Sequence, residues 1–254
     1  MDMIRLVNLS KSFKGFRAVD GIDLKVPKGR LFGFLGPNGA GKTTTIKMMA
    51  GVMKPTEGQI FIDGMDLRKE PSKVKQRVGF IPDRPFLYEK LTGLEFLRFT
   101  AALYQLHQNK RLDRRIERLL ELFDMSPWKE ELIESYSHGM KQRLVMCSAL
   151  LQSPRVYIVD EPMVGLDPKG SKLVKEIFRE QAQKGATFFI STHSLEFAQD
   201  ICEEIAIIQS GRIVAQGDAA ALRQAAGVEG GLEGVFLKLT EEKGIVHERP
   251  LSSA

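Results

Sequence analysis

The eight residues Gly36 to Thr43 read GPNGAGKT, and that spacing of glycines, lysine and threonine suits a chain of phosphates. Gly36, Gly39 and Gly41 let the backbone turn with its N–H groups pointing inward, around Pro37, Asn38 and Ala40. Lys42 offers a point charge to β- and γ-phosphates, the Thr43 hydroxyl is a hard oxygen suited to Mg2+, and Thr44 continues into the first helical turn. Further on, VYIVDEP ends an apolar run in Asp160 and Glu161. Beside a phosphate loop, the first carboxylate suits Mg2+ and the second suits an attacking water, as its orienter or its base. FISTHS ends another apolar run at His193, whose neutral imidazole is expected to hydrogen-bond a γ-phosphate. A fourth stretch, SYSHGMKQRL, places Ser137 and Gly139 where a helix begins. That start is suited to an anion, though the stretch itself does not say which.

These residues need strands that end at one edge and helices that begin there. The apolar LFGFLG before the phosphate loop predicts a strand buried on both faces, and KTTTIKMMAGVM predicts a helix ending before Pro55. QIFIDG predicts a strand closed by an Asp63-Gly64 turn. From Arg84 to Leu151 the texture is nearly all helical, with a capping box from Thr92 to Glu95, as expected of an inserted helical lobe. Strand signals return in RVYIVDE, GATFFIST and EIAIIQSGRIVAQG, with helix between the first two. The alternation predicts an α/β fold with a parallel sheet. Beyond Gly217 the chain turns Ala- and Gly-rich, followed by the amphipathic LEGVFLKLT and a polar tail expected to be mobile.

With 254 residues, 43% of them hydrophobic, the chain can bury one large core or a core with an inserted lobe. No apolar run approaches the roughly 18 residues of a membrane span, and the opening MDMIRLVNLSKSF alternates like a strand, unlike a signal peptide. The chain is therefore expected in the cytoplasm. The two cysteines, Cys147 and Cys202, have no paired spacing and are expected to be packing residues. Its 37 basic and 32 acidic residues make a mixed surface. In KRLDRRIERLLELF, Arg111, Arg114, Arg115 and Arg118 are interleaved with acids around an apolar helical stripe, which predicts a solvated helix face and no nucleic-acid partner.

These motifs, in this order over almost the whole length, resemble the ATP-binding subunit of an ABC transporter. The resemblance implies a P-loop NTPase (RecA-like) core with an antiparallel β subdomain and an inserted α-helical subdomain. The ATPase domain would span 1–220, with core segments 1–83 and 150–220 and the helical insert at 84–149. A C-terminal extension would fill 221–254. It also supplies the anion at Tyr136 to Met140, a variant of the signature motif: the γ-phosphate of an ATP held by another subunit, in a head-to-tail pair with two nucleotides between. Phe13 resembles the residue that stacks on adenine, with Phe16 as competitor. Asp167, in GLDP, matches the loop that touches the partner's site, and Asp83 stands where the family has a glutamine. ATP and Mg2+ are the implied cofactors, with Thr43, Asp160 and Asp83 toward the metal. The implied partners are a second copy or another ABC ATPase subunit, and a separate membrane permease holding the pair at the cytoplasmic face. Ser-x-Gly-Met-Lys and LEGVFLKLT resemble ATPases of the ABC-2 type, mostly of exporters. A P-loop small-molecule kinase would not need the later motifs; an ATPase of soluble assembly, such as iron-sulfur assembly, would.

Overall fold

The computed structural model describes residues 2–228 and 231–241; the polar tail ending in RPLSSA lies outside them. Strands β1 (Asp2–Phe13) and β2 (Phe16–Pro27) form a hairpin. Its two turn residues, Lys14 at φ 42° and Gly15 at φ 86°, both take the left-handed backbone of a type I′ turn. In β3 (Leu31–Leu35) all five residues are buried. Phe32 and Phe34 serve one core while Leu31 and Leu35 serve clusters on the opposite face, which is why no polar residue alternates there.

Helix α1 (Lys42–Met49) stops earlier than its sequence predicts, because Gly51 at φ 67° takes the left-handed conformation that ends a helix. Strands β4 (Glu57–Ile62) and β5 (Met65–Asp66) turn about Asp63 and Gly64, as that dipeptide predicts. The short α2 (Pro71–Lys75) leads to β6 (Val78–Ile81). Three helices follow: α3 (Gly93–Leu103), α4 (Lys110–Leu122) and α5 (His138–Leu151). At the start of α3 the Thr92 hydroxyl accepts from Glu95 N at 3.2 Å, and Thr92 N donates to the Glu95 carboxylate at 2.8 Å. Helix α4 buries Leu112, Ile116 and Leu120, but its arginines do not all face water. The Arg115 guanidinium reaches Leu150 O at 2.9 Å and also bonds Ser153 Oγ, so this residue ties α4 to the end of α5, contrary to its expected place on a solvated face.

The remaining elements are β7 (Val156–Asp160), α6 (Pro168–Gln183), β8 (Thr187–Thr192), α7 (Leu195–Ile201), β9 (Glu204–Gln209), β10 (Arg212–Gly217), α8 (Ala219–Ala226) and α9 (Leu232–Glu241). Helix α7, between β8 and β9, is capped by Ser194, whose hydroxyl accepts from Phe197 N at 3.3 Å. The Ala-rich stretch after Gly217 also coils: Leu222 and Ala226 of α8, with Leu232 and Val235 of α9, pack against Leu35, Ile205 and Ile207.

The strands make two sheets. One is antiparallel, ordered β2-β1-β4-β5; the other has six strands, ordered β10-β9-β3-β8-β7-β6, parallel except for the edge strand β10. The fold is thus the α/β P-loop arrangement with an antiparallel sheet and a group of helices between β6 and β7. Asp63, at the β4–β5 turn, accepts from Arg77 at 2.9 Å and Arg155 at 3.0 Å, just before β6 and β7, and so joins the rims of the two sheets. Burial pushes up the pKa of both thiols, that of Cys202 to about 12, in keeping with packing roles.

Candidate active site

Four neighbouring parallel strands, β3, β8, β7 and β6, end at the same edge. Ligand sites of open α/β sheets form at that carboxyl edge. The loop after β3 passes so close to β9 that a Cβ on Gly36 would lie 2.3 Å from Ile208 O. At Gly41, φ is 108° and a Cβ would lie 2.5 Å from Ala18 O, so no other residue fits without moving backbone. Gly41 is also the N-cap of α1 and makes no side-chain cap bond, which leaves N–H groups of the first turn for an anion. The buried Lys42 ammonium donates to Gly36 O at 2.6 Å and Pro37 O at 3.2 Å. Burial lowers its pKa, against the opposing pull of Glu161 and Asp160.

Asp160, the last residue of β7, is 3% exposed and accepts a hydrogen bond from the Ser191 hydroxyl. Burial raises its pKa, the nearby hydroxyls of Ser191 and Thr43 lower it, and the negative charges of Glu161 and Asp83 raise it further. Glu161 holds a left-handed φ of 47°, a conformation that costs roughly 1–3 kcal/mol in a non-glycine residue. Several bonds hold it there. Its N–H donates to Ser191 O at 2.9 Å, Thr192 Oγ1 donates to its Oε2 at 3.1 Å, and His193 Nδ1 lies 2.8 Å from its Oε1. If Nδ1–H serves the Glu161 carboxylate, a neutral ring has no second proton for a phosphate.

A cleft of about 510 Å3 brings Lys42, Thr43, Thr44, Asp83, Glu161 and His193 together, and Asn38, Gly39 and Gly41 also line it. Phe13 and Phe16 both stand at this cleft, where the sequence left the choice between them open. The lining does not include Ser137, Gly139 or Asp167. Ser137 caps α5, its hydroxyl accepting from Met140 N at 3.3 Å. Asp167 caps α6 by accepting from Gly170 N at 3.0 Å, and it pairs with Arg143 of α5 at 3.1 Å. Three residues that position the site went unnamed in the sequence reading: Ser191, Thr192 and Gly165. The first two sit directly before His193 in FISTHS, and register pairs Ser191 with Asp160.

Gly165 links two motifs. Its φ is 78°, a Cβ there would lie 2.3 Å from His138 Cδ2, and a Cβ on Gly139 would lie 2.8 Å from Gly165 O. Gly165→Ala is expected to lower stability by about 2 kcal/mol, from the strained φ and from turning His138 aside. His138→Ala in that background should recover part of the loss in urea unfolding; strictly additive effects would mean that the two residues do not press on each other.

Compared with known proteins, residues 19–164 match the family described as ABC transporter. The chain is 36% identical over 224 residues to the daunorubicin/doxorubicin resistance ATP-binding protein DrrA of Streptomyces peucetius, covering 88% of this chain and 68% of that one. It is 34% identical over 220 residues to the ABC transporter ATP-binding protein NatA of Bacillus subtilis, covering 85% and 89%. A solved structure of the ATP binding subunit of an ABC transporter superposes with a TM-score of 0.89 at 34% identity, covering 93% of this chain and 99% of that one.

Proposed function

The chain belongs to the ABC transporter family as an ATP-binding subunit, and from that premise we propose that it closes head to tail with a second copy, or with another ABC ATPase subunit, around two ATP molecules. It is an ATPase whose hydrolysis powers transport through a separate membrane partner. The observation that carries the proposed dimer is the division of the motifs: Lys42, Thr43, Glu161 and His193 line one cleft, with Asp160 buried directly before Glu161 at the end of β7, while Ser137 and Gly139 start a helix outside it. That helix start offers its capping hydroxyl, free N–H groups and dipole to the γ-phosphate in the opposite subunit's cleft.

In this reading the phosphate loop and Lys42 hold the β- and γ-phosphates, and Phe13 meets the base. Glu161, fixed by Thr192 and His193, orients the attacking water and takes its proton. The water oxygen bonds to the γ-phosphorus as the bond to the bridging oxygen breaks, and that oxygen leaves with ADP. Thr43 and Asp160 offer hard oxygens close to one another, which fits Mg2+, an ion that keeps water and phosphate among its ligands. When bound, Mg2+ would neutralise phosphate charge, with Asp83 nearby as a further oxygen source. Asp167, anchored to Arg143, carries the loop that would face the opposite subunit.

Segments 1–83 and 150–220 form the ATPase core, 84–149 the helical lobe that passes closure to the membrane partner, and 221–254 a C-terminal extension. Among the described residues no helix is long and apolar enough to cross a membrane, and the subunit sits on the cytoplasmic face through its permease. The Ser-His-Gly-Met-Lys signature, together with a relative named for drug resistance, supports export as the direction. Tagged chain extracted in mild detergent is expected to bring an integral membrane protein with it, and turnover per chain should rise with chain concentration as pairs form. Full turnover by a chain that sediments as a monomer would refute the shared site.

A further inference from the structure

We infer that Gln142 is a positioning residue for the shared site: its carboxamide binds the start of α5 to the segment 161–167 when two chains close around ATP, and goes unpaired in the single chain. The inference rests on the dimer proposed above. Gln142 is fully buried in α5, and neither its Oε1 nor its Nε2 has a hydrogen-bond partner among the described residues. A carboxamide carries an acceptor and two donors, and leaving them unpaired away from water costs free energy. Its neighbours Leu144, Val145 and Met146 belong to an apolar cluster, where a side chain without polar atoms would avoid that cost.

Gly139, Gln142, Arg143 and Met146 recur at the spacing of one helix face. Two of them meet the segment that leaves β7: a Cβ on Gly139 would lie 2.8 Å from Gly165 O, and Arg143 pairs with Asp167 at 3.1 Å. Gln142 stands between those two contacts along the helix, and the Gly165 carbonyl takes no backbone partner among the described residues. The segment starts at Glu161, held at φ 47°, and ends at Asp167, the cap of α6. A shift of α5 against it therefore reaches the residue that handles water. In the proposed dimer Ser137 and Asp167 both face the opposite subunit, so closure presses helix and segment together. A group unpaired in one state and paired in the other tilts the balance toward the second. Gln142 thus weakens the single chain and favours the closed pair.

The test replaces Gln142 with methionine, which keeps the length of the side chain without its hydrogen-bonding atoms, in a Glu161→Gln parent that holds ATP without turnover. Without nucleotide, Gln142→Met should unfold at a higher urea concentration than the parent. With ATP and Mg2+, its monomer should bind ATP within about threefold of the parent, while its dimer should dissociate about tenfold more readily in sedimentation. A glutamine that only filled space would not move stability and association in opposite directions. Gln142→Leu carries the same expectation and guards against an effect peculiar to methionine. Lower urea resistance in both variants, or dimers as tight as the parent's, would overturn the inference and leave the dimer standing. A parent that stays monomeric with ATP would overturn the dimer as well.

Discussion

Glu161→Gln is expected to lower ATP turnover at least a hundredfold, the usual scale for losing a general base, while ATP binding stays near wild type and an ATP-dependent dimer accumulates. Glutamine keeps the length of the side chain and an oxygen that can accept from Thr192 Oγ1, now 3.1 Å from Glu161 Oε2. It loses the carboxylate that can take a proton from water. The left-handed φ of 47° strains glutamine and glutamate alike, so the variant should fold. Single-turnover hydrolysis and size exclusion with and without ATP read out the two halves of the expectation. Hydrolysis at a near-normal rate would remove Glu161 from its role.

Ser137→Arg is expected to cut hydrolysis by a similar factor for a different reason. Ser137 lies outside its own chain's cleft, so a long cation at the start of α5 should leave ATP affinity of the monomer within about threefold of wild type while blocking closure. Losing the Ser137 cap to Met140 N also costs about 1 kcal/mol of helix stability. Ser137→Asn keeps a capping side chain without the bulk of arginine, so it separates stability from the block. Loss of ATP binding by the arginine variant as a monomer would place the signature segment in its own chain's site.

Much of the site was legible because its residues are contiguous or end strands. Gly36 to Thr43 carry both the turn chemistry and the charge in eight positions, and Asp160 and Glu161 stand where an apolar strand stops. Thr192 was harder to see: it serves a glutamate 31 residues earlier, and the pairing follows only once β7 and β8 are known to be parallel neighbours. Arg115 looked like its neighbours because helical spacing does not say that a guanidinium turns back to an adjacent helix end. The choice between Phe13 and Phe16 could not be made from spacing either, since the tight turn brings both rings to one face.

The Lys42 ammonium meets the carbonyls of Gly36 and Pro37 and is only 7% exposed. Folding has already replaced part of this charge's hydration with two neutral oxygens, so an incoming anion trades places with them. Its grip on the ligand is correspondingly sheltered from the ions of the surrounding medium, as a lysine on an open surface would not be.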